Sequence, residues 1–519
     1  MAQKSILLVT VDCLRADHVG FMGYSRPTTP FLDSLAGESF VFPAAVVAGA
    51  PTYYSVPAVL ASRYPLALGR DVLGLAPEEP TLATVLKQAG YATAAFTAAN
   101  PYISARFGYE RGFDTFRDFL DDDSPGDGEI ITGPAPVADG VRTEPANKGL
   151  ASRLNRKVQE WRPALGPLGA VYNELYFQYC QRAIPVAHSL DALRRFPAAD
   201  AIVDAAWRWL ESIADTPFFL WLHLMDPHAP YYPKNEAQVL MGDRPVSPFR
   251  ARYLNSYWNR GDLTPHRLAR HRDDVIRLYD AGIRWVDSQL SRLAGKLREA
   301  NKWDRCIFAL TADHGEEFLD HDGRFHSPSQ LTEELIRVPL LLHVQGLPKK
   351  EPGKTPFSLL HLAPTLLDAS GLSAPSSFRG RSYWTQVRDG IPFDEVAISE
   401  CVAGCTNPFR RENRLGPRIL SVRESRYKLV IHFDRQREYL YDLEADPGEQ
   451  AHLSPDSQKT VRRRLLEIAL EHVRASLNER DATARLQARL RELRLTLPLE
   501  WKNRSPADES LSGKSVRLG

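Results

Sequence analysis

Long apolar runs are missing from this sequence. No stretch approaches the roughly 18 or more uninterrupted apolar residues that a membrane-crossing helix requires, so no transmembrane segment is expected. Cysteine is scarce: there are five in 519 residues, at Cys13, Cys180, Cys306, Cys401 and Cys405. An odd number in a chain this large excludes a disulfide scaffold, and reduced thiols are expected. Cys401 and Cys405 stand close enough to pair or to share a metal, but no Cys/His set of zinc-finger spacing surrounds them. An excess of one charge is also missing. Lys and Arg total 65 against 64 Asp and Glu, and a net charge of +1 argues against a general nucleic-acid binder. The composition also excludes a collagen-like or wholly disordered chain. The opening MAQKSILLVTVD has too short an apolar run and no small-residue cleavage site for a secretory signal, so the expected location is cytoplasmic.

What is present is an ordinary globular composition, 43% hydrophobic and 25% charged. The length suits two to four units, or one large α/β domain with insertions. Short apolar runs at Ile6–Val11, Phe40–Val47, Ala92–Ala98, Phe218–Leu224, Cys306–Thr311 and Val338–Val344 read as buried parallel strands. Between them, Phe31–Ala36, Thr81–Ala89, Ala201–Ile213 and Val275–Leu293 carry helical periodicity. The alternation predicts an α/β fold: a doubly wound, mainly parallel sheet with helices on both faces. We assign this domain to residues 1–414, with insertions at about 119–198 and 240–272. Residues 415–457 form a small antiparallel subdomain, from Arg418–Val422, Tyr427–His432 and Glu438–Asp442. A helical extension follows at 458–502, its charge forming a solvated face, and then a loose tail at 503–519.

Ligands of open α/β sheets bind beyond the carboxyl ends of the strands. Three of these ends carry reactive groups: Asp12-Cys13, Asp226-Pro227-His228, and Asp313-His314-Gly315-Glu316. Parallel strands bring such ends to one edge, where aspartates and histidines make an O/N site for a hard-to-borderline metal. A lone aspartate after a strand is more often a helix cap. Thr52 and Ser55 follow the strand at 40–47 and precede a helix over Ala58–Ala61. There, either hydroxyl acts as a metal-activated nucleophile or simply caps the helix.

These residues resemble a known family. Val11-Asp12-Cys13-Leu14-Arg15-Ala16-Asp17-His18, Gly23-Tyr24 and Thr29-Pro30-Phe31-Leu32-Asp33 are similar to the opening of sulfatases, members of the alkaline phosphatase superfamily. Asp226–Tyr231, Tyr279-Asp280-Ala281 with Asp287, Thr311–Glu316, Glu333-Glu334 with Val338-Pro339, Ala363-Pro364-Thr365 and Leu440–Leu443 with Asp446–Glu449 continue the resemblance in order. It runs from about residue 5 to 453. It implies a divalent metal (Mn, Zn, Mg or Ca) on Asp12, Asp313, His314 and Thr52, beside a covalent nucleophile. Cys13 stands where many sulfatases carry a further aspartate.

The nucleophile segment departs from the family pattern. Counting back from Tyr64-Pro65 puts Thr52 on the nucleophile position, with Tyr54 and Val56 replacing the motif proline and arginine. Ser55-Val56-Pro57 imitates the motif three residues late, and Thr52 is favoured. Sulfatases oxidise Cys or Ser to formylglycine, and the methyl on the threonine β-carbon forbids that aldehyde. Relatives with a threonine there are typically phosphodiesterases, phosphotransferases or phosphomutases. The resemblance therefore implies a metal-dependent hydrolase or transferase of phosphate esters, diester or monoester, working through a covalent Thr52 intermediate. His228 or His326 then stabilises substrate oxygens or protonates the leaving group. Convergence of Asp226, His228 and His326 would add a second metal. Arg15 and Lys234 are candidate anion contacts, and His18, His223 and His321 are given supporting roles. The expected substrate is an anionic ester of small-molecule, saccharide or lipid type, and a homo-oligomer is allowed. Two alternatives stand: a sulfatase using Ser55, and a non-catalytic binding protein that kept the fold.

Overall fold

The computed structural model describes residues 3–69, 72–120, 158, 167–328, 330–347, 355–433 and 435–478. The expected tail at 503–519 and much of the first insertion and of the helical extension lie outside them. Among the described residues no helix is long and apolar enough to cross a membrane.

Seven strands form the main sheet: β1 (Ser5–Val11), β2 (Phe40–Val41), β3 (Ala92–Thr97), β4 (Thr115–Arg117), β5 (Phe218–Leu224), β6 (Cys306–Ala312) and β7 (Leu340–His343). Their spatial order is β2-β7-β6-β1-β5-β3-β4. Every residue of β1, β5 and β6 is buried, as expected of strands covered on both faces by helices. β1 pairs in parallel with both β5 and β6, and its register sets Val11 opposite Leu224 and Ala312. The next residues on β1 and β6, Asp12 and Asp313, therefore emerge side by side.

Two strand readings are corrected. The run Val338–Val344 contributes β7, which is antiparallel to β6. The chain stays at the carboxyl edge between Asp313 and Val338, so it re-enters the sheet from the edge it left. The run Phe40–Val47 is two short strands, broken around Pro43, which has no N–H to give a ladder. β2 joins the main sheet, while Ala45–Val46 pairs with Arg337–Val338 and Phe357–Ser358.

Helices α1 (Pro30–Ala36), α3 (Leu82–Gln88), α5 (Ala199–Ser212) and α7 (Arg272–Glu299) fall close to their periodic segments, α2 (Thr52–Ala61) begins six residues before the helix expected at Ala58, and α4 (Pro167–Ala183) and α6 (Pro248–Trp258) lie outside the expected helical segments. α4 and α6 come from the two insertions. They meet through Phe177, whose ring lies 5.5 Å from Tyr253 and 6.0 Å from Tyr257. All five cysteines are buried and none forms a disulfide.

The C-terminal sheet has four antiparallel strands, β8 (Val396–Val402), β9 (Arg418–Glu424), β10 (Tyr427–His432) and β11 (Arg437–Asp442). It thus begins before the boundary expected at 415, because β8 pairs along its whole length with β9. Helix α8 (Lys459–Asn478) buries Leu465 and Ala469 against Ile398, Leu420, Val422, Leu429 and Leu440. Its Arg463, Arg464, Glu467 and Glu471 are exposed, which makes the charge a solvated face.

An ionic cluster ties this sheet to the main domain. Lys428, fully buried on β10, reaches Glu449 at 2.9 Å and Glu333 at 3.3 Å, and Arg423 reaches Glu333 at 2.5 Å. Removing one partner of such a set strands a buried charge, so Lys428→Met is expected to cost about 3–5 kcal/mol in urea unfolding. Beside it, His321 Nδ1 lies 2.7 Å from Glu334 Oε1. That bond, working against burial, raises the His321 pKa to about 9. A raised histidine contributes stability fully below its unfolded value near 6.5 and loses it as pH climbs through 9. The unfolding midpoint of the native protein is therefore expected to fall about 2–4 °C further over that window than that of His321→Gln.

Candidate active site

Asp12 follows β1 in full burial and is held from three sides. Asn100 Nδ2 donates to Oδ2 at 2.8 Å, His223 Nε2 lies 3.3 Å from the same oxygen, and the Cys13 thiol donates to Oδ1 at 3.1 Å. Trp221 Nε1 donates to Thr10 Oγ1 at 3.0 Å, and Thr10 Oγ1 stands 2.9 Å from His223 Nδ1. The Thr10 hydroxyl itself donates to the Leu222 carbonyl at 3.3 Å. Burial would raise the Asp12 pKa, but the neighbouring imidazoles of His228, His223 and His314 outweigh it and hold it well below the usual range.

Asp313 and His314 follow β6. Asp313 Oδ1 accepts the His314 N–H at 2.9 Å, whereas Oδ2 is buried and has no hydrogen-bond partner. Burial first, and then the Asp12 charge, push the Asp313 pKa up. His314 donates from Nδ1 to the Gly315 carbonyl at 2.8 Å, which leaves the Nε2 lone pair free. Nε2 lies 3.2 Å from Thr52 Oγ1, 3.5 Å from Asp313 Oδ2 and 3.6 Å from Asp12 Oδ1. The turn needs Gly315, because a Cβ there would sit 1.9 Å from the Glu334 carbonyl.

Thr52 is the first residue of α2. Pro51 holds the cap position and no side chain caps the helix, so the Thr52 hydroxyl is not used as a cap. Ser55, one turn on, donates to the Thr52 carbonyl at 3.2 Å and turns back into its own helix. Asp12, Asp313, His314 and Thr52 thus converge, at most 4% exposed, and Ser55 does not join them.

Do these residues suit a divalent ion? Three oxygens and one imidazole nitrogen form a hard-to-borderline donor set. Two buried carboxylates share the space, and one of their oxygens is orphaned. The set fits such an ion. The possible ligand groups formed here are Asp12, His223 and Asp313; Asp12, Cys13 and His228; and Cys13, His314 and His326.

His228 and His326 meet with ring centroids 5.1 Å apart, and His326 stands 4.6 Å from His314. Their titrations are pushed apart. Burial lowers the His228 pKa despite Asp12. In His326 burial is outweighed by the Glu316 carboxylate, and the pKa rises. Asp226 does not converge with them. It accepts from Arg194 at 2.7 Å and from the Ala199 N–H, at the start of α5, at 3.0 Å. It therefore acts as a buried anchor, and the set considered for a second metal is not assembled.

Neither candidate anion contact reaches the cluster. The Arg15 guanidinium binds Asp17 at 2.8 Å, Asp320 at 2.7 Å and the Glu316 carbonyl at 3.0 Å. Lys234 lies 3.1 Å from Asp191 and 3.7 Å from Asp200. The sequence reading missed Asn100, Glu316 and Tyr231. Asn100 follows β3 at the same sheet edge, so extending the strand-end rule one strand further would have reached it. Glu316 stands three residues after Asp313, and nothing in the sequence there signals its partner.

Comparison with known proteins gives a match to the sulfatase family model over residues 4–372. A model described as N-sulphoglucosamine sulphohydrolase, C-terminal, matches residues 321–476. The multifunctional alkaline phosphatase superfamily protein PehA of Trinickia caryophylli is 23% identical over 511 residues, covering 88% of this chain and 92% of its own. The phosphonate monoester hydrolase of Agrobacterium radiobacter shares the fold at a TM-score of 0.59 and 18% identity, covering 92% of this chain and 96% of its own. A protein solved with its substrate D-glucosamine-2-N,6-O-disulfate aligns at a TM-score of 0.62 and 16% identity, covering 92% of this chain and 98% of its own.

Proposed function

The chain belongs to the sulfatase family of hydrolytic enzymes, and we propose that within it this protein is a metal-dependent hydrolase or transferase of phosphate esters with Thr52 as nucleophile. One observation carries the reading: the hydroxyl in the metal-ligand cluster belongs to a threonine, with Oγ1 3.2 Å from His314 Nε2. The phosphonate hydrolase among the structural neighbours is consistent with phosphorus chemistry on this fold. The family as a whole favours a sulfate ester instead. That reading needs a formylglycine precursor in the cluster, and Ser55 points into its own helix. A binding protein without catalysis would have no use for the unpaired Asp313 oxygen.

Asp12, Asp313, His314 and Thr52 would hold the ion. It would supply Lewis acidity, lowering the hydroxyl pKa and drawing charge from the ester oxygens. Thr52 Oγ1 attacks phosphorus in line, its proton passing to solvent, and the bond from phosphorus to the leaving oxygen breaks. The electron pair stays on that oxygen, which takes a proton from His326, the imidazole held above its usual pKa. His228, held neutral by burial with its Nδ1–H donated to the Ala229 carbonyl, presents its Nε2 lone pair to the site as a hydrogen-bond acceptor. Water or an acceptor alcohol then attacks phosphorus, giving its proton to His326, and the bond from phosphorus to Thr52 Oγ1 breaks, that oxygen regaining a proton from solvent. The substrate in this reading is an anionic ester of small-molecule, saccharide or lipid type.

Paired aryl phosphodiester, phosphate monoester and sulfate ester substrates, with added Mn, Zn, Mg or Ca, test the proposal. Phosphoester turnover that needs the ion is expected. Turnover confined to the sulfate ester would overturn it.

A further inference from the structure

Two motifs that lie far apart in sequence meet at one carboxylate outside the four-residue cluster. Glu316 is fully buried, at the end of the segment Asp313-His314-Gly315-Glu316. Its Oε1 accepts the Tyr231 hydroxyl at 2.8 Å, and its Oε2 lies 3.0 Å from His326 Nδ1. Tyr231 is itself fixed. Its N–H donates to Asn255 Oδ1 at 2.7 Å, and its carbonyl accepts from Asn255 Nδ2 at 2.9 Å. Both oxygens of Glu316 are therefore directed.

Local backbone geometry explains why Glu316 and His326 face each other. Glu317–Phe318 and Arg324–Phe325 form an antiparallel pair, with Glu317 opposite Phe325. One residue further out, the same register sets Glu316 opposite His326, the separation at which cross-strand side chains interact. Gly323 closes this hairpin under Glu317, where a Cβ would lie 2.3 Å from Glu317 Oε2. With Nδ1 taken by Glu316, Nε2 is the open nitrogen of a ring whose centroid lies 4.6 Å from that of His314 and 5.1 Å from that of His228, tilted against both.

We propose that Glu316, braced by Tyr231, is a positioning residue that fixes the His326 ring with Nδ1–H turned inward and Nε2 turned to the reacting atoms. This rests on the reading of His326 as a group that touches the leaving oxygen. A carboxylate behind an imidazole does two things. It selects the tautomer, and it removes the freedom of the ring to flip. The bond to Tyr231 keeps the carboxylate from rotating, so the orientation is set by the fold before substrate arrives.

The test uses the zinc-loaded full chain with 15N-labelled histidine. The native protein is expected to show a protected, low-field His326 ring N–H resonance, identified by its loss in His326→Asn. Glu316→Gln should move it upfield or release it to exchange, and Tyr231→Phe should move it less. Leaving-group dependence supplies the second readout, with p-nitrophenyl and phenyl methyl phosphates. Glu316→Gln is expected to lose about 10–100-fold in kcat/KM on the phenyl ester and much less on the p-nitrophenyl ester, and to add nothing to His326→Asn. An unmoved resonance in Glu316→Gln would overturn the inference, as would equal loss on both esters. Leaving-group indifference in His326→Asn itself would instead overturn the acid role of His326, and the resonance would still decide the positioning.

Discussion

Thr52→Ala is expected to abolish phosphoester turnover, leaving less than about a thousandth of the native kcat/KM, because a covalent route loses its first bond-forming atom. Thr52→Ser should keep part of the activity, since the hydroxyl remains at the first position of α2 and only a methyl is lost. Ser55→Ala should stay close to the native rate. Its hydroxyl bonds only to the Thr52 carbonyl, within the same helix. Parallel rate measurements on a phosphodiester check all three. Loss in Ser55→Ala with retention in Thr52→Ala would reverse the assignment.

Asp313→Asn is expected to invert a stability order. In chelator, the native protein holds two neighbouring buried carboxylates, and Asp313 Oδ2 has no hydrogen-bond partner. Burial and Asp12 already push the Asp313 pKa up, so its charge opposes folding wherever it is ionised. The amide removes that charge at nearly constant volume, and the chelated variant should be more stable by roughly 1–3 kcal/mol. Saturating zinc should reverse the order. A ligand that binds only the folded state at about 100 times its Kd adds about 2.7 kcal/mol. The native protein should show that gain and Asp313→Asn very little, with turnover lost as well. Unfolding midpoints with EDTA and with zinc measure both arms. A zinc-induced rise as large in the variant as in the native protein would contradict the ligand assignment.

The main sheet was legible because β1, β5 and β6 are buried on both faces, and such strands are written as unbroken apolar runs. Direction was not legible. The apolar run around Leu340–His343 looks the same whether it runs parallel or antiparallel, and only the path from Asp313 sets it. The meeting of Asp12 and Asp313 was legible for a related reason: parallel strands deliver the residues after Val11 and Ala312 to one edge. Side-chain direction was harder. Asp226 leaves the same edge yet turns to Arg194 and Ala199. Arg15 lies near Gly315, but its charge is taken by Asp17 and Asp320. Asn100 and Glu316 were passed over for a simpler reason. Neither residue type stands out where it occurs, and each acquires its role only from the group opposite, Asp12 for one and His326 for the other.

The account stands most directly on one bond, from Thr52 Oγ1 to phosphorus. Acid quench during turnover of an aryl phosphodiester with the zinc-loaded enzyme, followed by peptide mass mapping, detects it. The expected result is a phosphoryl adduct confined to Thr52 and absent from Thr52→Ala. A formylglycine at Ser55, or an adduct on another side chain with Thr52 unmodified, would contradict the account.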